Sequence, residues 1–113
     1  NLSAINSIRD VEKQTGRPLL PSLFEGYKNQ MSEKLYELEN NLKEQDCEAL
    51  YRSAHAIKSM SANIGAEKIR VISAELERRG RYADLHEMDA AIKELEAAYI
   101  EFLKEFDIFY VNT

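Results

Sequence analysis

Residues 85–106, LHEMDAAIKELEAAYIEFLKEF, carry the pattern that decides the fold. Leu85, Met88, Ile92, Leu95, Tyr99, Phe102 and Phe106 recur at three- and four-residue steps. That spacing places them on one stripe of a helix, the seam by which helices pack into antiparallel bundles. It predicts a helix over residues 82–106. Moving toward the N-terminus, Ala66, Ile69, Ile72 and Leu76 predict a shorter helix over 66–79, with Gly80 after it. Before that, Leu50, Ala54, Ile57, Ser61 and Ile64 form the buried line of a helix that starts after Asp46, a good N-cap, and stops at Gly65. Leu20, Leu23, Tyr27, Met31, Leu35, Leu38 and Leu42 predict a long helix over 19–44, with Pro21 tolerated in its first turn. A short first helix over 2–14 carries Leu2, Ile5, Ile8 and Val11 on one side and ends before Gly16 and Pro18.

The fold class is therefore all-α. Connections of a few residues make sequential helices run antiparallel, so the last four are expected to form an up-down-up-down four-helix bundle with the short N-terminal helix capping one end. The ending Asp107-Ile108-Phe109-Tyr110-Val111 has strand-like composition, but a lone segment cannot make a sheet. It is expected to pack against the bundle or to fray. There is no internal repeat and no low-complexity tract.

The 113 residues fit one domain, 1–113, with one core. The chain opens on Asn1 rather than methionine, which reads as a segment cut from something longer. With 44% hydrophobic and 31% charged residues, the composition is that of a globular helical protein. No apolar run approaches the roughly 18 residues that a membrane span needs. Cys47 is the only cysteine, which rules out an internal disulfide and suits a reducing compartment. The net charge of −5 argues against nucleic acid as a partner. Lys68, Arg70, Arg78, Arg79 and Arg81 concentrate in one stretch, while the charged residues of 84–107 are mostly acidic. These can be two solvated helix faces, or a basic rim that meets an acidic partner.

Neither of the two histidines belongs to a Glu-x-x-His pair, so no metal site is expected. There is no glycine-rich phosphate loop and no glycine-flanked serine, and nothing marks an independent enzyme. At about 100° per residue, His55 lies about 140° from the apolar line of its helix and should face water. Glu48, Arg52, Ser59 and Ala62 share that side, and Lys58 lies between it and the core. Helical side chains lean toward the N-terminus, so residue 59 covers residue 55, and a serine there shields little. An exposed neutral imidazole can attack an acyl phosphate to give a phosphoramidate. The ammonium of Lys58, one turn on, can offset phosphoryl charge. The sequence does not say what orients the other ring nitrogen. On this geometry alone, His55 reads more readily as an ordinary surface histidine.

Residues 54–66, AHAIKSMSANIGA, resemble the signature of histidine phosphotransfer (HPt) domains. The signature is a histidine (His55), an aliphatic residue two later (Ile57), lysine at three (Lys58), a small residue at four (Ser59), and Gly-Ala at ten and eleven (Gly65, Ala66). The resemblance continues through Ile69, Leu76, Glu77, Gly80 and Arg81, and the five-helix layout extends it over nearly the whole chain. It implies that His55 accepts a phosphoryl group, that Lys58 neutralises its charge and that Ser59, where the family often has glycine, leaves room for the donor. Tyr51, Arg52 and Ala62 fall to the partner-binding surface. The implied partners are receiver domains of response regulators or of a hybrid sensor kinase, in a two-component phosphorelay. The implied module binds no cofactor; Mg2+ and the acidic pocket belong to the receiver. It is expected to be a cytoplasmic monomer without direct membrane contact, although its parent could be an inner-membrane sensor kinase. His86, among Asp84, Glu87 and Asp89, has no matching motif and reads as a solvated residue. The competing reading is a helical adaptor whose histidine carries nothing, because fold alone does not decide function.

Overall fold

The computed structural model describes the backbone of residues 2–111 and the side chains of residues 3–107. Five helices, and no strand among these residues, make the chain all-helical: α1 Leu2–Thr15, α2 Leu19–Lys43, α3 Cys47–Ile64, α4 Glu67–Arg81 and α5 Met88–Val111. None is long and apolar enough to cross a membrane.

The helix ends follow from local chemistry. Asp46 caps α3 by accepting a hydrogen bond from the Ala49 N–H at 3.0 Å, which satisfies one of the four free donors of a helix start. Pro18 gives α2 no side-chain cap. Glu12 replaces it across the turn, its Oε2 accepting from the Leu20 N–H at 2.9 Å. Helix α3 ends on a left-handed residue, Gly65 at φ 79°. There the Ala66 N–H bonds the Ser61 carbonyl at 2.8 Å and the Gly65 N–H bonds that of Ala62 at 3.3 Å, the paired pattern of a Schellman end.

Helices α2 and α4 end in the same pattern without glycine, on Gln45 and Ala83, each at φ 54°. This corrects the expectation that Gly80 stops the fourth helix. Gly80 lies inside α4, and the Schellman bonds run from Ala83 to the Gly80 carbonyl and from Asp84 to that of Arg79. Asp84 then accepts from the His86 N–H at 3.2 Å, a local turn that delays α5 to Met88 instead of residue 82. Segment 107–111 continues α5 as helix rather than leaving it; the side chains from Ile108 onward lie outside the described residues.

The core runs along the seams expected from the spacing. Leu20, Met31, Leu38, Leu50, Ile57, Ile69, Leu76, Met88 and Leu95 are all but sealed from water. Helix α3 packs most extensively against α4 and then against α2. Phe24 stacks on Phe106 with centroids 3.9 Å apart, and Tyr27 meets Tyr99 and Phe102 edge-on at 6.1 and 5.7 Å. The buried Tyr27 hydroxyl pairs with Ser61 Oγ at 2.8 Å. Burial raises the Tyr27 phenol well above its ordinary value, against the lowering effect of the Ser61 bond.

Two apolar positions differ from expectation. Val11 and Leu23 are 42% and 47% exposed. At about 100° per residue, Val11 sits about 120° from Ile5, and Leu23 about 60° from the Leu20–Met31–Leu38 line. Phe24, which the spacing passed over, takes the inward place and is buried. Leu2, the first member of that predicted α1 stripe, has its side chain outside the described residues.

Candidate functional site

Helix α3 presents His55 outward, as its distance from the Leu50–Ala54–Ile57–Ser61 line requires, and its side chain is 55% exposed. What the sequence left open is supplied by α4. Along Ile69, Ser73, Leu76 and Gly80, α4 buries one stripe against the bundle. Glu77, at the α3-facing edge of that stripe, has only 7% of its side chain exposed. Its Oε1 lies 2.9 Å from His55 Nδ1, its Oε2 lies 2.6 Å from Lys58 Nζ, and Oε1 also takes a hydrogen bond from Arg81 Nη2 at 3.2 Å.

The close approach of the two helices makes this meeting possible. A Cβ at Gly80 would fall 2.8 Å from Tyr51 Cβ and 3.2 Å from its backbone, so only glycine lets α3 and α4 come this near. Tyr51 is half-buried there under Arg81, whose guanidinium carbon stands 5.3 Å from the ring centroid.

Burial would raise the Glu77 carboxyl, but the hydrogen bonds from Lys58 and then His55, with their charges, overcome it and hold the group below its ordinary 4.5. An ionised carboxylate only accepts hydrogen bonds, so Nδ1 must carry the proton. In the neutral ring the Nε2 lone pair is then free, and no described side chain bonds it. Surroundings of this kind fix tautomer and ring orientation together.

The lowered value also ties Glu77 to stability. A carboxyl whose folded value is depressed contributes stability at pH above its ordinary value, and that contribution is lost as pH falls through the folded one. Urea unfolding at about pH 6 should show the unaltered chain more stable than Glu77→Gln, with the gap narrowing as the pH is taken below the ordinary carboxyl value of 4.5. Parallel pH curves for the two chains would contradict the ion-pair geometry.

Of the other sequence-predicted site residues, Lys58 is brought to His55 but is turned toward Glu77. Ser59 and Ala62 are exposed and leave the face of His55 open. Arg52 is exposed and paired with Glu48. The His86 side chain stands apart, 82% exposed, with Glu87 at 3.9 Å. The basic stretch is largely neutralised: Lys68 pairs with Glu101, Arg70 with Glu67, and Arg78 and Arg79 with Glu75. That favours a solvated face over a free basic rim. No group of three or more His, Cys, Asp or Glu that could hold a metal ion occurs among the described residues.

Sequence reasoning named Glu77 only within the resemblance and gave it no role. The available signal was an acidic residue at the edge of an otherwise apolar or small-residue stripe.

An exposed imidazole on a helical bundle is thus held by a buried carboxylate with a cation beside it. The family model for the Hpt domain matches residues 22–104, and the chain belongs to that family. It is thus a histidine phosphotransfer domain of phosphorelay signalling. The fold is similar to the crystal structure of histidine-containing phosphotransfer protein B (HptB) from Pseudomonas aeruginosa PAO1, with a TM-score of 0.88 and 24% identity over 100% of this chain and 95% of that one. A search of curated protein sequences finds no match.

Proposed function

We propose that the chain carries a phosphoryl group on His55 Nε2 between the aspartates of receiver domains. The observation that carries this reading is the Glu77 contact on Nδ1, which leaves the exposed ring nitrogen with its lone pair. Nε2 attacks phosphorus of an aspartyl phosphate, the N–P bond forms as the P–O bond breaks, and the aspartate carboxylate leaves with the bonding pair. The ring keeps its Nδ1 proton and gains positive charge, which the ionised Glu77 offsets. No proton has to move in either direction, so the step can be reversed along the same path. Lys58 neutralises the phosphoryl oxygens, the Mg2+ and acidic pocket come from the receiver, and Ser59 gives the receiver access.

Tyr51, Arg52 and Ala62 flank the ring as the docking surface. The pairs Tyr27–Ser61, Asn41–Ser53, Tyr51–Arg81, His55–Glu77, Phe24–Phe106 and Tyr27–Tyr99 step in opposite directions along their helices. This supports an up-down-up-down bundle of α2 to α5, with α1 laid over one end. The proposed setting is a cytoplasmic monomeric domain within a two-component pathway.

The reading is tested by incubating the chain with a labelled phospho-receiver. Lys58→Ala should slow transfer about tenfold, less than the roughly hundredfold or more of a donor sealed from water, because the lysine is partly exposed. Its stability should fall by no more than about 1 kcal/mol. An unchanged rate would remove Lys58 from the site. Ser59→Leu should block transfer while circular dichroism stays helical, because a branched side chain one turn on lies over the ring. Normal transfer by that variant would contradict the access argument.

A further inference from the structure

Arg81 is unlike its neighbours in the basic stretch. Arg78 and Arg79 pair with the exposed Glu75, whereas Arg81 bonds the buried Glu77, and on the same Oε1 that faces His55 Nδ1. Its guanidinium also lies against the Tyr51 ring, and Tyr51 is itself fixed by the Gly80 contact. The two cations on Glu77 are therefore held differently. Lys58 sits at the end of a flexible stem with Glu77 as its only bonded partner among the described residues. Arg81 is planar, anchored on two sides, and of a type that stays cationic in proteins.

A phosphoryl group brings about −1.5 to −2 charges at neutral pH. On His55 it attracts the nearby Lys58 ammonium, and Oε2 of Glu77 then loses its donor. A buried carboxylate stripped of its cations is costly and either takes up a proton or turns away. Both would deprive Nδ1 of its acceptor at the moment the ring is most positive.

Resting on the phosphotransfer reading above, we propose that Arg81 is a positioning residue that keeps the Glu77 carboxylate on His55 Nδ1 while Lys58 turns from Glu77 to the phosphoryl group. Arg81 acts through Glu77. The charged and titratable groups facing Glu77 are His55 and Lys58 from α3 and Arg81 from its own helix.

The test is imidazole 15N NMR on the whole chain, with and without phosphate transferred from a labelled phospho-receiver, together with the transfer rate. Arg81→Met keeps a stem over Tyr51 but removes the charge; Arg81→Lys restores the charge. Without phosphate, Arg81→Met and Lys58→Met should each keep the His55 proton on Nδ1, and the double variant should lose it, a non-additive result. With phosphate, Arg81→Met alone should lose the protected Nδ1–H signal and transfer about three- to fivefold more slowly, in proportion to a half-exposed ion pair. Arg81→Lys should recover most of both. Phosphorylated Arg81→Met with an unaltered Nδ1 signal, a double variant that behaves as either single one, or no recovery by lysine would each overturn the proposal. Label found on a residue other than His55 would instead overturn the phosphotransfer reading on which it rests.

Discussion

His55→Gln should accept no label from a phosphorylated receiver, while His86→Gln accepts it at the normal rate. A carboxamide nitrogen has its lone pair delocalised into the carbonyl and cannot attack phosphorus, yet glutamine can still offer an N–H to Glu77. Shape and hydrogen bonding are thus largely kept and the nucleophile is lost. Because the side chain is 55% exposed, stability should change by no more than about 0.5 kcal/mol, and equal thermal midpoints would show that the missing label reports chemistry and not unfolding. His86 has neither an orienting buried carboxylate nor an adjacent lysine. A phosphoryl group there would also meet Asp84, Glu87 and Asp89. Label on His55→Gln would defeat the assignment.

Gly80→Val should be the most damaging single change for the fold. The added Cβ would stand 2.8 Å from Tyr51 Cβ and 3.2 Å from the Tyr51 backbone, and backbone in a packed helix cannot yield as a flexible side chain can. Overpacking together with β-branching should cost about 2–4 kcal/mol. At roughly 4 °C or more per kcal/mol for a chain of this size, the thermal midpoint should fall by about 10 °C. Gly26 in α2 is the control: nothing lies within 4 Å of its added Cβ, so Gly26→Ala should gain up to about 1 kcal/mol from helix propensity. The Gly80 variant should also lose transfer in its folded fraction, since forcing α4 from α3 withdraws Glu77 from His55. A midpoint unchanged by Gly80→Val would mean that the two helices do not approach so closely.

Helix α3 was legible almost whole in the sequence, from the Asp46 cap through its buried line to Gly65, and the outward place of His55 followed from that line. These features are local, set by residues within a turn or two of one another. What could not be read depends on contacts between distant segments. Gly80 looked like a helix end because glycine commonly serves that purpose. Here it serves a helix crossing, and the left-handed end falls to Ala83. Glu77 lies 22 residues from His55, and no periodicity within either helix reports that the two meet. Leu23 and Phe24 are adjacent leucine and phenylalanine, and the choice of which faces inward was made by the stacking of Phe24 on Phe106 across the bundle.

The most direct test of the account is the location of both phosphorus and proton on one ring. In the chain phosphorylated by a receiver, 15N and 31P NMR should show the phosphoryl group bonded to Nε2 of His55 and a slowly exchanging proton on Nδ1. Phosphorus on Nδ1, on His86 or on an oxygen-bearing side chain would contradict it.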